Sequence, residues 1–198
     1  MFKSSEIFLG RKKEMALLES LYDSNKFEML ILHGRRRVGK SYLLSHFAKL
    51  HSDNTVYFTG DKDSEKNNVQ NFCEELNRVL KAGDFLNSFT TWNDVYSFLK
   101  TTEIKDRLVL IIDEFTYLYN SNPAYDSGLQ NAIDIILKSK NIFLILCGSE
   151  VSVIEEIIDD STKPLYQNKS YIIFSKNGVS SNVEKHLKDL LGYSVYSQ

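Results

Sequence analysis

Residues 27–44 form the stretch FEMLILHGRRRVGKSYLL, which decides the fold that we expect the chain to adopt. The apolar run from Met29 to Leu32 is typical of a buried strand, and it breaks at Gly34. Positions 34–41 then match the pattern G-x-x-x-x-G-K-[ST] in full, and a segment with helical periodicity follows. A strand, a glycine-rich loop and a helix in this order predict a phosphate-binding loop.

The residue types in this loop suit a nucleotide with bound Mg²⁺. Gly34 and Gly39 permit backbone conformations that are closed to other residues, so consecutive N–H groups can turn toward the phosphates. Lys40 can reach the β and γ oxygens, while the Ser41 hydroxyl can bind Mg²⁺ at the start of the next helix. The positive end of that helix favours the same anion.

Arginines 35–37 lie inside the loop and admit two interpretations. One of them could neutralise phosphate charge, or all three could face solvent or another subunit. We include the whole loop in the predicted nucleotide contacts, together with a turn upstream of it. The predicted contacts are Gly34, Arg35, Arg36, Arg37, Val38, Gly39, Lys40, Ser41, Tyr42, Gly10 and Arg11.

The upstream turn at 9–11 precedes a segment with apolar residues at helical spacing, up to Asn25. This segment is either an amphipathic helix that packs on the sheet or, with the Gly10–Arg11 turn, one wall of a pocket for the base. Both interpretations can hold together.

A second informative stretch, RLVLIIDEF, covers residues 107–115. Its five consecutive apolar residues predict a strand buried on both faces, and its two carboxylates would emerge where ligands bind in a parallel sheet. This is the form of a Walker B element. Asp113 would hold Mg²⁺, and Glu114 could orient and deprotonate the attacking water.

Residues 141–149, NIFLILCGS, repeat the pattern of a buried strand that ends in polar residues. Ser149 would lie beside Asp113 at the sheet edge, where its hydroxyl can contact the γ-phosphate or the attacking water as a sensor. A helix N-cap for residues 151–158 explains Ser149 equally well.

The remaining pattern completes an α/β fold. We predict further strands at 54–60 and 171–174, and helices at 41–51, 69–81, 91–100, 126–138 and 180–191. Leu50 and the single tryptophan, Trp92, are expected to face the core, although Trp92 could instead contact a ligand. Alternating strands and helices predict a three-layer sandwich around about five mainly parallel strands, of the additional-strand type.

The composition is that of an ordinary globular protein, with 42% hydrophobic and 25% charged residues. A net charge of -2 gives no overall attraction to nucleic acid or anionic membranes. No apolar run approaches the roughly 18 residues that a membrane helix needs, and the two isolated cysteines do not suggest a disulfide framework. We therefore expect a cytoplasmic protein.

Several of these stretches together resemble the archaeal and bacterial P-loop ATPases of the AAA+ and STAND-like group, whose members carry a GRRRVGKT loop. The resemblance covers residues 6–168 through FLGRKKE, LHGRRRVGKS, IIDEF, LILCGSE and KPLYQN. It implies ATP rather than GTP. It also implies a phosphate or Mg²⁺ role for Lys40, Ser41 and Asp113, a catalytic role for Glu114 and a sensor role for Ser149.

The sequence departs from this family after residue 168. Members usually have PLYGR where this chain has PLYQN, and they continue into a helical lid, a winged helix and a nuclease-like domain. Residues 171–187 instead resemble the far C-terminal end of such a protein. We therefore expect an ATPase core at 1–168 and a short remnant at 169–198, joined by an internal deletion.

Three functions remain open from the sequence. The first is ATP binding with slow, Mg²⁺-dependent hydrolysis, and the second is a nucleotide-binding interaction module or a degenerate remnant of a DNA-associated ATPase. In either case a protein partner or self-association is possible. The third, nucleic-acid binding through the loop arginines and the basic residues 11–13, is the least favoured.

Overall fold

The computed structural model describes residues 11–122, 124–150, 152–154, 157 and 165, and the backbone of 171–174. The strands are β1 (Glu28–His33), β2 (Thr55–Thr59), β3 (Leu108–Asp113), β4 (Ile142–Gly148) and β5 (Tyr171–Phe174). The helices are α1 (Lys12–Asp23), α2 (Lys40–Leu50), α3 (Glu65–Leu80), α4 (Trp92–Thr101), α5 (Phe115–Ser121) and α6 (Tyr125–Ile135). The alternation of the two kinds of element matches the sequence pattern.

The five strands form one parallel sheet in the order β2-β3-β4-β1-β5. β4 is thus inserted between β1, which leads into the glycine-rich loop, and β3, which ends in the two carboxylates. This confirms the predicted α/β fold of the additional-strand type. β1 has a partner on each side, because β4 pairs along its whole length and β5 pairs with Leu30 to His33.

The three-layer arrangement follows from strands that are buried on both faces, as in most parallel sheets. β1, β3 and β4 are buried at every position. One face packs against α1 and α2 through side chains such as Leu18, Leu44 and Phe47. The other face packs against α3, α4, α5 and α6, and Trp92 is buried in that core as predicted.

Arg107 forms hydrogen bonds to three segments of the chain at the amino-terminal edge of the sheet. Its guanidinium donates hydrogen bonds to Leu21 O and Asn141 Oδ1, both at 2.7 Å, and to Lys26 O. The same group lies over the ring of Phe143, 5.6 Å from its centroid. Arg107 therefore joins the end of α1 to the starts of β1 and β4, while remaining only 5% exposed.

Several sequence predictions of local structure are wrong. α3 begins at Glu65 rather than at residue 69, because the Ser64 side chain caps it by accepting the N–H of Asn67 at 3.2 Å. Leu50 is 59% exposed, since it is the last residue of α2 and lies beyond the buried stripe. α5 was not predicted, and the helix expected at 126–138 ends at Ile135 and continues as a 3-10 turn at Leu137–Ser139.

Other predictions fall partly or wholly outside the part of the chain that the structure describes. The strand at 171–174 is confirmed as β5. The helix predicted at 180–191 lies outside the described residues, and the boundary at 168 stays a prediction. Among the helices that the structure describes, none has the length and apolar character needed to cross a membrane.

Candidate active site

The loop between β1 and α2 has the strained backbone that its glycines allow. Gly39 has φ 86° and Gly34 has φ 147°, which residues with side chains rarely adopt, and Arg37 also has a positive φ of 66°. Lys40 begins α2, and its Nζ donates to Gly34 O at 2.7 Å and to Arg35 O at 3.2 Å. The lysine is thus held over the loop by the loop's own carbonyl groups.

A cavity of about 190 Å³ opens on this loop. Three of its lining side chains are cationic and one is a carboxylate, so its charge favours an anion. Its lining consists of Arg36, Arg37, Gly39, Lys40, Ser41, Tyr42 and Glu114. The structure therefore brings the predicted catalytic glutamate to the same cavity as the loop lysine.

Arg11 supports the loop from the side. Its guanidinium donates a hydrogen bond to Val38 O and pairs with Glu14 at 3.6 Å. The same guanidinium lies 3.8 Å from the position that a Cβ on Gly39 would take. α1 itself packs on the sheet, as one of the two interpretations predicts, and Gly10 lies outside the described residues.

The three loop arginines are all exposed, but they do not have the same surroundings. Arg36 donates a 2.8 Å hydrogen bond to the hydroxyl of Tyr117 on α5. Arg35 contributes its backbone carbonyl to Lys40, as described above. Tyr117 is also the ring beneath Lys62, whose Nζ is 5.0 Å from the ring centroid. One tyrosine therefore connects the loop to the helix that follows the two carboxylates.

The Asp113 carboxylate lies at the end of β3 and is only 3% exposed. Its Oδ2 accepts a 2.8 Å hydrogen bond from the Tyr57 hydroxyl, and its Oδ1 accepts the Glu114 N–H at 3.0 Å. Burial first, and then the negative charge of Asp113, raise the pKa of Tyr57. Burial and a hydrogen bond to Asp113 likewise raise the pKa of Cys147. Both groups therefore stay protonated and donate to the carboxylate.

Glu114 turns the chain from β3 into α5 and has φ 51°, in the left-handed region. The Ser149 hydroxyl donates a 2.8 Å hydrogen bond to Glu114 Oε2. This approach depends on Gly148, because an added Cβ there would lie 2.8 Å from Cγ2 of Thr116 on α5. Ser149 is therefore placed beside the predicted base.

The residues present fit a magnesium nucleotide. The Lys40 ammonium has three N–H donors, of which two are directed to carbonyl groups, and the cavity has an excess of positive charge. Ser41 and Asp113 supply oxygen atoms, the ligands that Mg²⁺ prefers. The backbone at Gly39 has the positive φ that a phosphate-cradling loop requires.

Three residues of this site were missed from the sequence. Tyr57 and Cys147 contact Asp113 from the two flanking strands, and Tyr117 binds Arg36. Tyr57 lies two residues before Thr59, the register partner of Asp113, so knowledge of the strand pairing would have placed it nearby. Nothing in the sequence pattern marks Tyr117, because α5 was not predicted.

Comparison with known proteins agrees with this geometry. Residues 8–177 match the model of a family described as an ATPase domain predominantly from Archaea. The chain belongs to this archaeal ATPase family. Its membership confirms the P-loop ATPase part of the resemblance seen in the sequence, whereas the STAND-like grouping and the nuclease-like C-terminal end stay predictions.

Relatives of this family member occur in Methanocaldococcus jannaschii. An uncharacterized protein of that organism is 28% identical over 192 residues, which are 97% of this chain and 40% of the relative. An uncharacterized ATP-binding protein of the same organism is 46% identical over 41 residues, which are 21% of this chain and 70% of the relative. The chain thus spans less than half of the first relative's length.

Solved structures show the same fold at low sequence identity. The Walker-type ATPase of Pyrococcus abyssi has a TM-score of 0.56 and 18% identity, covering 94% of this chain and 60% of that protein. The ORC2 protein of Aeropyrum pernix, solved as ADPNP–ADP complexes, has a TM-score of 0.64 and 14% identity, covering 90% of this chain and 50% of that one. These likenesses support a P-loop ATPase fold for the archaeal ATPase domain.

Proposed function

We propose that this chain binds Mg-ATP at the loop of residues 34–41 and hydrolyses it slowly. The observation that carries the proposal is the cavity in which Lys40 and Glu114 lie together, with the backbone of Gly39 in a left-handed conformation. Family membership supports a nucleotide as the ligand. ATP rather than GTP follows from the resemblance.

Each loop residue has a separate task in binding. The Lys40 ammonium exchanges its contacts to Gly34 O and Arg35 O for the β and γ oxygens of the nucleotide. Backbone N–H groups of the loop and the start of α2 donate to the phosphates. Ser41 and Asp113 hold the metal, directly or through water. Bound Mg²⁺ neutralises part of the phosphate charge.

Glu114 is the base in the proposed hydrolysis. It takes a proton from a water molecule whose oxygen forms a bond to the γ-phosphorus, while the bond from that phosphorus to the β–γ bridging oxygen breaks. The electron pair of the broken bond stays with ADP. The Ser149 hydroxyl, 2.8 Å from Oε2, fixes the carboxylate during this step.

We expect slow turnover because of where the positive charge at the loop cavity comes from. Among the described residues, the cationic side chains that line the cavity all belong to the loop itself. An arginine finger supplied from another element or another subunit adds about 10³ to 10⁵ in rate in related enzymes. A loop arginine that already binds phosphate in the ground state raises the rate much less. The reason is that only interactions that are stronger in the transition state than in the ground state accelerate the reaction.

A second function is favoured by the hydrogen bonds that engage the two key side chains. The Glu114 carboxylate accepts from Ser149, and Lys40 donates to carbonyl groups of the loop. In a nucleotide-binding interaction module the bond from Ser149 to Glu114 would persist, and ATP would bind without turnover. Such a module would act through a protein partner or another copy of the chain. The buried, free thiols Cys73 and Cys147 support a cytoplasmic location for either function.

Phosphate release and calorimetry with ATP distinguish the two functions. The variants are Lys40→Ala, Glu114→Gln and, as a matched control, Lys49→Ala at an exposed position of the same helix. Hydrolysis predicts that wild type and the control release phosphate, that Glu114→Gln binds ATP without turnover, and that Lys40→Ala loses binding. Binding without release in the wild type supports the module. Equal heats from all four proteins would contradict both functions.

A further inference from the structure

A second cavity of about 300 Å³ lies between the start of α3, the start of α4 and the start of α6. It shares no lining residue with the cavity at the loop. Its wall combines one carboxylate, three aromatic rings and several amide groups. The residues that matter most are Glu65, Trp92, Tyr96, Asn122, Tyr125 and Gly128.

Among the described residues that line this cavity, Glu65 is the one with a charged side chain. Its Oε1 accepts the backbone N–H of Trp92 at 3.1 Å, and its Oε2 accepts the Asn122 side-chain amide at 3.2 Å. These two bonds fix the carboxylate of α3 between the start of α4 and the connection from α5 to α6. Each oxygen keeps a lone pair for a further donor, because an ionised carboxylate has about four acceptor positions.

Aromatic rings surround the carboxylate. The rings of Trp92 and Tyr125 meet edge to face, with centroids 5.8 Å apart. Tyr125 is only 3% exposed, and its buried hydroxyl has no hydrogen-bond partner within the described part of the chain. Burial first, and then Tyr125 and Glu65, raise the pKa of Tyr96, so this phenol also stays neutral beside the carboxylate.

Gly128 keeps the cavity open. It lies inside α6, where glycine is less favourable than alanine. A Cβ built on it would have no atom within 4 Å. The backbone therefore does not require glycine, and the effect of the missing side chain is to leave free space over the aromatic wall.

We propose that this cavity binds a guanidinium group, carried by a small molecule or by an arginine side chain of a protein. A guanidinium is planar and stacks on aromatic faces, and it offers five N–H donors in a fixed fork. The wall offers matching acceptors in Glu65 and the amide oxygen of Asn122. An anion would be repelled by Glu65, and a purely apolar group would leave the remaining lone pairs of Glu65 without a donor.

The fluorescence of Trp92 gives a direct test, since it is the only tryptophan in the chain. The probes are N-acetyl-arginine methylamide and ethylguanidinium, and the matched control is N-acetyl-citrulline methylamide, a neutral compound of nearly the same shape. The two guanidinium probes are expected to change the emission with saturation, whereas the citrulline compound is not. An arginine-containing pentapeptide that binds more tightly than ethylguanidinium would assign the group to a protein, and equal affinities would assign it to a small molecule.

Variants separate this site from a general surface effect. Glu65→Gln should weaken binding of the arginine probe by about tenfold or more, because a charge-assisted pair is lost. Tyr125→Phe keeps the aromatic ring and should bind the probe as the wild type does, because the Tyr125 hydroxyl is buried away from solvent and has no partner among the described residues. Gly128→Leu should fill the cavity and abolish binding. Glu74→Gln, at an exposed position on the same helix, should bind as the wild type does.

The proposal fails if neither guanidinium probe changes the emission or if the citrulline compound binds equally well. It also fails if Gly128→Leu binds normally or if Glu74→Gln weakens binding as much as Glu65→Gln. Circular dichroism shows which variants are folded. If Glu65→Gln does not fold, Gly128→Leu still decides the question, because glycine has no side chain whose hydrogen bonds could be lost.

Discussion

The Tyr57 hydroxyl and the Asp113 carboxylate are joined by a 2.8 Å hydrogen bond across neighbouring strands, although 56 residues separate them in the chain. Tyr57 lies on the outermost strand β2, and Asp113 is the last residue of β3. A neutral donor thus fixes the orientation of a buried carboxylate without cancelling its charge. This arrangement suits a carboxylate whose task is to hold a cation.

Tyr57→Phe should raise the Mg²⁺ concentration needed for half-maximal ATP binding. Residues that orient metal ligands typically contribute about tenfold or more to metal affinity, and we expect about three- to tenfold here because Mg²⁺ keeps most of its water ligands. Titration of Mg²⁺ at fixed ATP measures the effect. Nucleotide affinity in the presence of EDTA serves as the control and should not change. A parallel loss of affinity without the metal would show that Tyr57 acts on the whole fold.

Ser149→Ala should lower the rate of ATP hydrolysis by about tenfold and leave ATP affinity unchanged. The serine hydroxyl contacts the Glu114 carboxylate, and Ser149 is not among the described residues that line the cavity at the loop, so its loss should disturb the base and not the phosphate contacts. Single-turnover phosphate release and calorimetry measure the two quantities. Ser149→Thr retains a hydroxyl and should recover most of the rate. Weaker ATP binding by Ser149→Ala would instead indicate a direct phosphate contact.

Tyr117→Phe should strengthen ATP binding by about two- to fivefold. Arg36 donates a hydrogen bond to the Tyr117 hydroxyl, and this bond must break before Arg36 can contact a phosphate. An exposed hydrogen bond contributes at most about 1 kcal/mol, so ATP binding should gain no more than this when the hydroxyl is removed. Arg36→Gln should weaken binding, and the double variant should bind like Arg36→Gln alone. Additive effects of the two substitutions would show that the contact has no influence on the loop.

Arg107→Ala should destabilise the protein by about 3–5 kcal/mol, because it leaves buried acceptors of three segments without their donor. The loss should appear in urea unfolding as a lower midpoint with an unchanged slope. Arg107→Lys should recover only part of the stability, since one ammonium cannot reach all of the acceptors. Lys105→Ala, at an exposed position nearby, should change the free energy of unfolding by less than about 0.5 kcal/mol.

Asp94→Asn should make stability less dependent on pH at the acidic end. Thr91 caps α4, and the Asp94 carboxylate accepts the N–H groups of Thr90 and Thr91 together with the Thr91 hydroxyl. These bonds lower the pKa of Asp94. A lowered pKa stabilises the folded state above the pKa of the unfolded chain, and this gain disappears as the pH falls through the folded value.

The free energy of unfolding of the wild type should therefore exceed that of Asp94→Asn by about 1 kcal/mol near neutral pH, the usual effect of a cap, and the difference should disappear as the pH falls through the lowered pKa of Asp94. Urea unfolding across this range measures it. Glu103→Gln at an exposed position serves as the control for loss of one carboxylate. A difference in the free energy of unfolding that persists at low pH would mean that the shape of the Asp94 side chain, rather than its charge, stabilises the cap.

The strands and the two carboxylates could be predicted because buried parallel strands are nearly continuous apolar runs and the loop has a fixed spacing. α5 could not be predicted, since its seven residues FTYLYNS carry buried aromatic and polar side chains without a clear apolar stripe. Leu50 was assigned to the core by spacing alone, but spacing does not indicate where the helix ends. The start of α3 was placed too late because a polar first turn resembles a loop when its cap at Ser64 is overlooked.

In the candidate site, too, the sequence pattern indicates some residues, whereas others are brought into contact only by the fold. Each of the loop residues and the carboxylates is recognisable alone, but Tyr57 and Tyr117 acquire their contacts from strand register and from α5. The second cavity draws its wall from three helices and one connection, so no single stretch of sequence contains it. Only the folded arrangement shows that Glu65 lies beside the rings of Trp92 and Tyr125 in this wall.

The position of β1 within the sheet determines when the nucleotide site can form during synthesis. β1 precedes the other four described strands in the chain, yet its neighbours β4 and β5 are the last two of these strands to leave the ribosome. A nascent chain that ends before Ile142 has the complete loop but no strand on either side of β1. ATP should therefore begin to protect the growing chain from proteolysis only after residues 142–174 have emerged.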